Sequence, residues 1–137
     1  MSVEELKAWS AEHERTDETR YAVATYSYAC TAYVRTALRR ALEFQPRDNV
    51  WFGTEYVNTA RGMVDGPGIL PDVSVWRLTK LELMTISRAL EWRRGKRAAG
   101  KVDVNVSPSI LLEWESIENE VSRVLRDVWH SEGKYWM

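Results

Sequence analysis

Ser107–His130, SPSILLEWESIENEVSRVLRDVWH, is the stretch that decides the fold class. Ile110, Trp114, Ile117, Val121, Val124 and Val128 recur at spacings of four and three, which places all six on one stripe of an α-helix. Glu113, Glu115, Glu118, Glu120, Arg123 and Arg126 fall on the other side, the pattern of a solvated, partly ion-paired face. Ser107 suits the N-cap, where its hydroxyl meets free N–H groups, and Pro108 suits the first helical position. The stripe stops short of the heptad run that a coiled-coil seam needs. It is therefore expected to form one stave of an intramolecular bundle. Leu111, Leu125 and Trp129 widen it along one edge. With Tyr135 and Trp136 of the C-terminal tail, these are the residues expected to meet a partner if the chain does not cover them.

The rest of the chain offers that stripe its cover. Residues 79–97 carry Leu83, Ile86 and Leu90 on one face with Met84 beside them, and Thr79 and Glu82 stand at capping-box spacing. Residues 17–44 read as a longer helix, capped by Thr16 or Asp17 and ended by Pro46. Its stripe is Val23, Tyr26, Cys30, Val34, Ala37 and Ala41, widened by Ala22, Ala29, Tyr33 and Leu38. A short amphipathic helix over 2–14 follows from Val3, Leu6 and Trp9, with Ser2 and Glu5 as a capping box. Residues 47–78 lack a helical period. Within them 50–57 (VWFGTEYV) and 73–76 (VSVW) have strand composition, and further on 102–106 (VDVNV) alternates strictly. The expectation is a mainly α, single-domain, four-helix arrangement over 1–137 (2–14, 17–44, 79–97, 107–130) with a small β patch from 50–57, 73–76 and 102–106. The alternative is α+β.

A chain of 137 residues is the size of one domain and buries enough surface to fold without staples. Its formal net charge of −1 argues against a dedicated polyanion binder, and its apolar fraction of 45% is ordinary for a soluble protein. One cysteine, Cys30, excludes an intramolecular disulfide and multi-cysteine metal sites within the chain, and its apolar surroundings predict a buried thiol. The acidic N-terminus lacks a signal pattern and no apolar run suffices for a membrane helix, so a cytoplasmic or other intracellular place is expected, with no membrane partner. The Arg-, Ala-, Val- and Trp-rich composition hints at a high-GC bacterial or phage genome.

The two histidines, His13 and His130, lie near opposite ends. Asp127 and His130 share a helical face, but a di-metal bundle needs a second such pair. Glu115, Glu118 and Asp127 face away from the apolar stripe, unlike the inward carboxylates that hold magnesium. No phosphate-binding glycine loop and no G-x-S-x-G elbow is present. No metal, cofactor or catalytic residue is expected, and no diagnostic family motif stands in the sequence.

The positive signals concern binding. Seven tryptophans are spread along the chain, a residue type enriched in cores and at protein–protein hot spots. Arg88, Arg93, Arg94, Lys96, Arg97 and Lys101 crowd one segment around Trp92, while the flanks of the chain are acidic. Such a segment suits an acidic partner surface, or a nucleic acid whose phosphates meet the cations while a base stacks on Trp92. Two functions are expected. The first is a non-enzymatic protein–protein interaction or assembly subunit, self-association included, of the structural or host-inhibitory kind. The second is a DNA- or RNA-binding regulator using 88–101.

Overall fold

The computed structural model describes residues 2–4, 19–66 and 70–132. Within them the chain runs β1 (Arg20–Ala24), α1 (Tyr28–Asp48), α2 (Thr54–Val64), β2 (Val75–Thr79), α3 (Lys80–Ala98) and α4 (Pro108–Glu132). Helix accounts for 68% of the described chain, so the class is mainly α with a small antiparallel β patch rather than α+β.

The two best-signalled helices form close to where their sequences place them. In α4, Pro108 is the first helical residue and the Ser107 carbonyl accepts from the Leu111 N–H at 3.1 Å. In α3, Thr79 and Glu82 make the reciprocal capping box: the Glu82 N–H donates to Thr79 Oγ1 at 3.1 Å and the Thr79 N–H donates to Glu82 Oε1 at 2.8 Å.

Elsewhere the structure corrects the expectation. The helix expected over 17–44 begins only at Tyr28, because Ser27 takes an extended conformation and its Oγ caps the Cys30 N–H at 3.3 Å. The residues before it form β1, paired antiparallel with β2 in the register Arg20↔Thr79 to Ala24↔Val75. The same helix passes Pro46 and ends two residues later, at Asp48, with Asn49 as its C-cap in the left-handed region (φ 47°). A proline in the last turn removes one N–H without stopping the turns before it. The strand expected over 50–57 is instead a loop leading into α2, with Gly53 as an extended N-cap. Its buried Ala60, Met63 and Val64 carry a helical spacing that runs through Gly62. The expected strand at 73–76 lies two residues further on, at Val75–Thr79. No strand forms over 102–106; Asp103 sits at φ 56° and Val104 is exposed. The helix expected over 2–14 lies, apart from residues 2–4, outside the described residues, as do the cap residues Thr16 and Asp17.

One hydrophobic cluster draws on every element. Ile117, Val121, Val124 and Val128 of α4 are buried against Val23, Val34, Ala37, Leu38, Leu83 and Ile86, while Ile110 at the head of the same stripe is exposed. Cys30 is buried, as expected, and its thiol donates to the Glu113 carbonyl at 3.2 Å. Trp51 and Trp76 are the largest fully buried side chains. Each satisfies its indole N–H, on the Thr85 carbonyl and the Pro71 carbonyl respectively, both at 3.0 Å.

The acidic side of α4 is less solvated than its pattern suggests. Glu118 and Glu120 are both buried. Glu120 reaches the outer edge of β1, where its Oε2 accepts the Ala24 N–H at 3.0 Å, and its Oε1 accepts from Arg123 Nε at 2.9 Å. Burial alone raises this carboxyl, but the bonds from Arg123 and Ala24 and the charge of Arg123 outweigh it and hold it below the usual carboxylate range. A depressed folded-state value means stability that is present above the unfolded value near 4.5 and lost as pH falls through the folded value. Glu120→Gln is therefore expected to flatten the acid limb of the stability profile below about pH 4.5, read by urea titrations at several pH values. An unchanged acid limb would contradict this role.

Candidate functional site

The basic segment is the first place to look. Arg93 makes a two-pronged bond to Asp103, at 3.0 and 2.9 Å, and lies over the rings of Tyr33 and Trp114. The turn at 102–106 replaces a strand because Asp103 points back to this guanidinium. Arg97 donates to Tyr33 Oη at 3.0 Å and to Glu118 Oε2 at 3.3 Å. The Tyr33 hydroxyl in turn donates to Glu118 at 2.6 Å, and its ring stacks on Trp114 with centroids 4.4 Å apart. Lys96 pairs with Asp48 at 3.0 Å, and the same carboxylate accepts the Trp92 indole N–H at 2.8 Å. Those two bonds, that of Trp92 first, hold the Asp48 carboxyl below its usual range. Arg88 lies over the exposed Phe52 ring and donates weakly to the Val50 carbonyl at 3.4 Å. Arg94 is exposed, with Nε 3.7 Å from Glu118, and Lys101 is exposed without an ion pair among the described residues.

The cluster of cations is thus largely a joint between α1, α3 and α4. Arg93, Lys96 and Arg97 are neutralised by Asp103, Asp48 and Glu118, and the aromatic partner Trp92 packs on Phe44 with centroids 5.6 Å apart. Among the described residues, only Arg94 and Lys101 of the segment stand well out in solvent with no partner closer than 3.7 Å.

The residues expected to widen the α4 stripe do not form one patch. Leu125 packs against the core, and Leu111 is half-buried some 27 Å along the helix from Trp129 at 1.5 Å per residue. The ring of Trp129 lies under the Lys80 ammonium at 4.3 Å. Tyr135 and Trp136 lie outside the described residues. Among the described residues, no three His, Cys, Asp or Glu side chains stand close enough to hold a metal ion, and no helix is long and apolar enough to cross a membrane.

A different place has the character of a binding surface. Where β1 turns into α1, Tyr26 and Tyr28 are 65% and 71% exposed, the opposite of the buried stripe position expected for Tyr26. Val73 and Val75, leading into and opening β2, are also exposed. A shallow cleft of about 200 Å3 lies between these segments, lined by Thr25, Tyr26, Ser27 and Tyr28 on one side and Asp72, Val73 and Ser74 on the other. Its walls are pinned together. The Thr25 N–H donates to the Ser74 carbonyl at 2.9 Å, the Thr25 hydroxyl donates to the Val73 carbonyl, and Asp72 pairs with Arg35 at 3.1 Å. Buried Thr25 forms the floor.

The backbone at Tyr26 is unusual. Its φ of 53° is in the left-handed region, and the Ser27 N–H closes back on the Thr25 carbonyl at 2.5 Å. Positive φ at a bulky residue is disfavoured by about 1–3 kcal/mol, and such strain concentrates at ligand-contacting positions. Glycine would adopt this turn without strain, yet a tyrosine stands there and faces solvent. Sequence reasoning missed this site by running the helix through it. The signal was present in Thr25-Tyr26-Ser27-Tyr28: a serine N-cap between two tyrosines, directly after the alternating run of β1.

In comparisons with known proteins, no family model, no curated protein and no solved structure matches the chain.

Proposed function

We propose that the chain is a non-enzymatic protein-binding module, a subunit or inhibitor of a larger assembly, that engages its partner through the Tyr26–Tyr28 cleft. The observation that carries this reading is the strained, solvent-facing Tyr26 beside exposed Tyr28, Val73 and Val75 on a rigidly pinned floor. Tyrosine supplies large contact area and a hydrogen-bonding hydroxyl while losing little side-chain entropy, which is why it is enriched at protein interfaces. A contiguous apolar and aromatic surface rimmed by polar groups is the usual form of such a site. An intracellular place fits this role. The nucleic-acid reading of 88–101 has weaker support, because Arg93, Lys96 and Arg97 are already paired within the chain.

The test separates folding from binding. Tyr26→Gly relieves the positive φ, so it is expected to leave stability unchanged or to raise it by up to about 1 kcal/mol. Tyr28→Ser removes an exposed ring and is expected to change stability by under about 0.5 kcal/mol. Together they are expected to release the chain from its complex in fractionated cell extract, shifting it to the size of the isolated protein. A wild-type chain that already runs as the isolated protein, or a double variant that stays in the complex, would refute the reading.

A further inference from the structure

The small sheet has two outer edges, and they are treated differently. Thr25 donates to Ser74, so in the antiparallel register Val23 pairs with Trp76, and Tyr21 with Leu78, through the ladder. The backbone groups of Ala22 and Ala24 then point to the outer edge of β1, and those of Val75, Arg77 and Thr79 to the outer edge of β2. On β1 the Ala24 N–H is taken by Glu120 of α4. On β2 the C-terminal half is closed: the Thr79 N–H donates to Glu82, and the Arg20 guanidinium crosses the strand to the Arg77 carbonyl at 3.2 Å and to Glu82 at 3.3 Å. Among the described residues the N-terminal half is open: nothing pairs with the Val75 N–H, the Val75 carbonyl or the Arg77 N–H.

That open half is continuous with the tyrosine cleft, because Val73 and Ser74 line the cleft and lead directly into Val75. The side chains of Val75 and Arg77 share the exposed face of the sheet, alternating with buried Trp76 and Leu78. The Arg77 guanidinium has no ion-pair partner among the described residues.

We infer that the partner adds an extended, antiparallel strand to the outer edge of β2, with an acidic residue two positions before an apolar one. This rests on the protein-binding reading and specifies its geometry. A residue of the incoming strand exchanges both backbone bonds with Val75, and the carbonyl two residues upstream accepts the Arg77 N–H. The apolar side chain then lies beside Val75, and the acidic one beside Arg77, where opposite charges across a strand pair are favourable. Short, charged edges are one way proteins avoid sticking to one another. Here the guards seen among the described residues, Arg20 and Glu82, sit at the end remote from the cleft.

The probe is a fluorescein-labelled peptide, Thr-Thr-Thr-Glu-Thr-Val-Thr, set against its reversed-order counterpart, in which the apolar residue precedes the acidic one, and against a copy N-methylated at the valine. Hydrogen exchange read by NMR is expected to show the Val75 and Arg77 amides slowed at least roughly tenfold by the first peptide and by neither control. Val75→Pro removes an N–H that the β1–β2 ladder does not use and is expected to weaken peptide binding about tenfold or more. The N-methylated peptide makes the same test without altering the protein. Equal binding of the reversed or methylated peptide, or no slowing at Val75 and Arg77, would overturn the proposal. So would slowing of these amides that grows with protein concentration alone, which would place a second copy on the edge. A cellular complex that survives Val75→Pro but is lost with Tyr28→Ser would leave the binding surface standing and remove the strand pairing.

Discussion

Arg97→Met is expected to destabilise the fold by about 3 kcal/mol, read by urea denaturation at neutral pH. The Glu118 side chain is 3% exposed and that of Arg97 17%, so the pair is held away from water at the meeting of α1, α3 and α4. Removing the cation leaves a buried carboxylate with the Tyr33 hydroxyl and with Arg94 at 3.7 Å, itself largely in solvent. Losing one partner of a buried pair costs about 3–5 kcal/mol, and the residual pull of Arg94 places the effect at the lower end. Arg97→Lys is not a rescue, because one ammonium cannot hold the Tyr33 hydroxyl and the carboxylate in the fork geometry of a guanidinium. Adding Glu118→Gln to Arg97→Met removes the stranded charge and is expected to recover more than half of the loss. The same joint carries an alkaline signature. Burial first, then the bond to Glu118, pushes the Tyr33 hydroxyl well above the ordinary phenol range. A raised value means stability that is fully present below the unfolded value near 10 and lost as pH rises through the folded one. Tyr33→Phe should blunt that loss. A change under about 1 kcal/mol for Arg97→Met would show that the joint is effectively solvated.

Trp51→Ala is expected to cost about 4 kcal/mol, the largest effect of any single truncation considered. The side chain is fully buried in the loop between α1 and α2, and its indole N–H donates to the Thr85 carbonyl in the second turn of α3. Gln45 clamps the same residue by its backbone, donating to the Trp51 carbonyl at 2.6 Å and accepting its N–H at 2.9 Å. The ring therefore ties three helices together, and truncation leaves a cavity that the clamped backbone cannot collapse to fill. Trp51→Phe keeps most of the apolar area and is expected to cost less than half as much, because the Thr85 carbonyl loses only a supplementary donor. Equal losses for the alanine and phenylalanine variants would place the stabilisation in the hydrogen bond rather than in packing.

The two long amphipathic helices were legible from the sequence because periodicity and caps agree there. Ser107-Pro108 and Thr79…Glu82 mark their starts, and Leu83, Ile86, Leu90, Ile117, Val121, Val124 and Val128 of their apolar stripes are buried. The strand β1 was not legible because Val23 also fits the helical stripe of Tyr26, Cys30 and Val34, a period ambiguity that only the pairing with Val75–Thr79 resolves. Helix α2 was hidden by the strand-like composition of Trp51 to Val57, which tertiary packing overrides. The basic segment was visible as a run of cations, but the acids that neutralise it, Asp48, Asp103 and Glu118, are dispersed in the sequence and are brought together only by folding. The cleft was missed for a similar reason. Tyr26 fits the apolar stripe of a continuous helix until Ser27 caps the helix just after it.

Most cations of α3 turn inward to carboxylates, while Tyr26 and Tyr28 turn outward at the β1–α1 junction. In-cell cross-linking from a photoreactive residue placed at position 28, compared with one placed at Lys101, tests that division most directly. The account predicts a discrete protein adduct from position 28, resistant to nuclease, and no nucleic-acid adduct from position 101. A nuclease-sensitive adduct from position 101, with none from position 28, would contradict it.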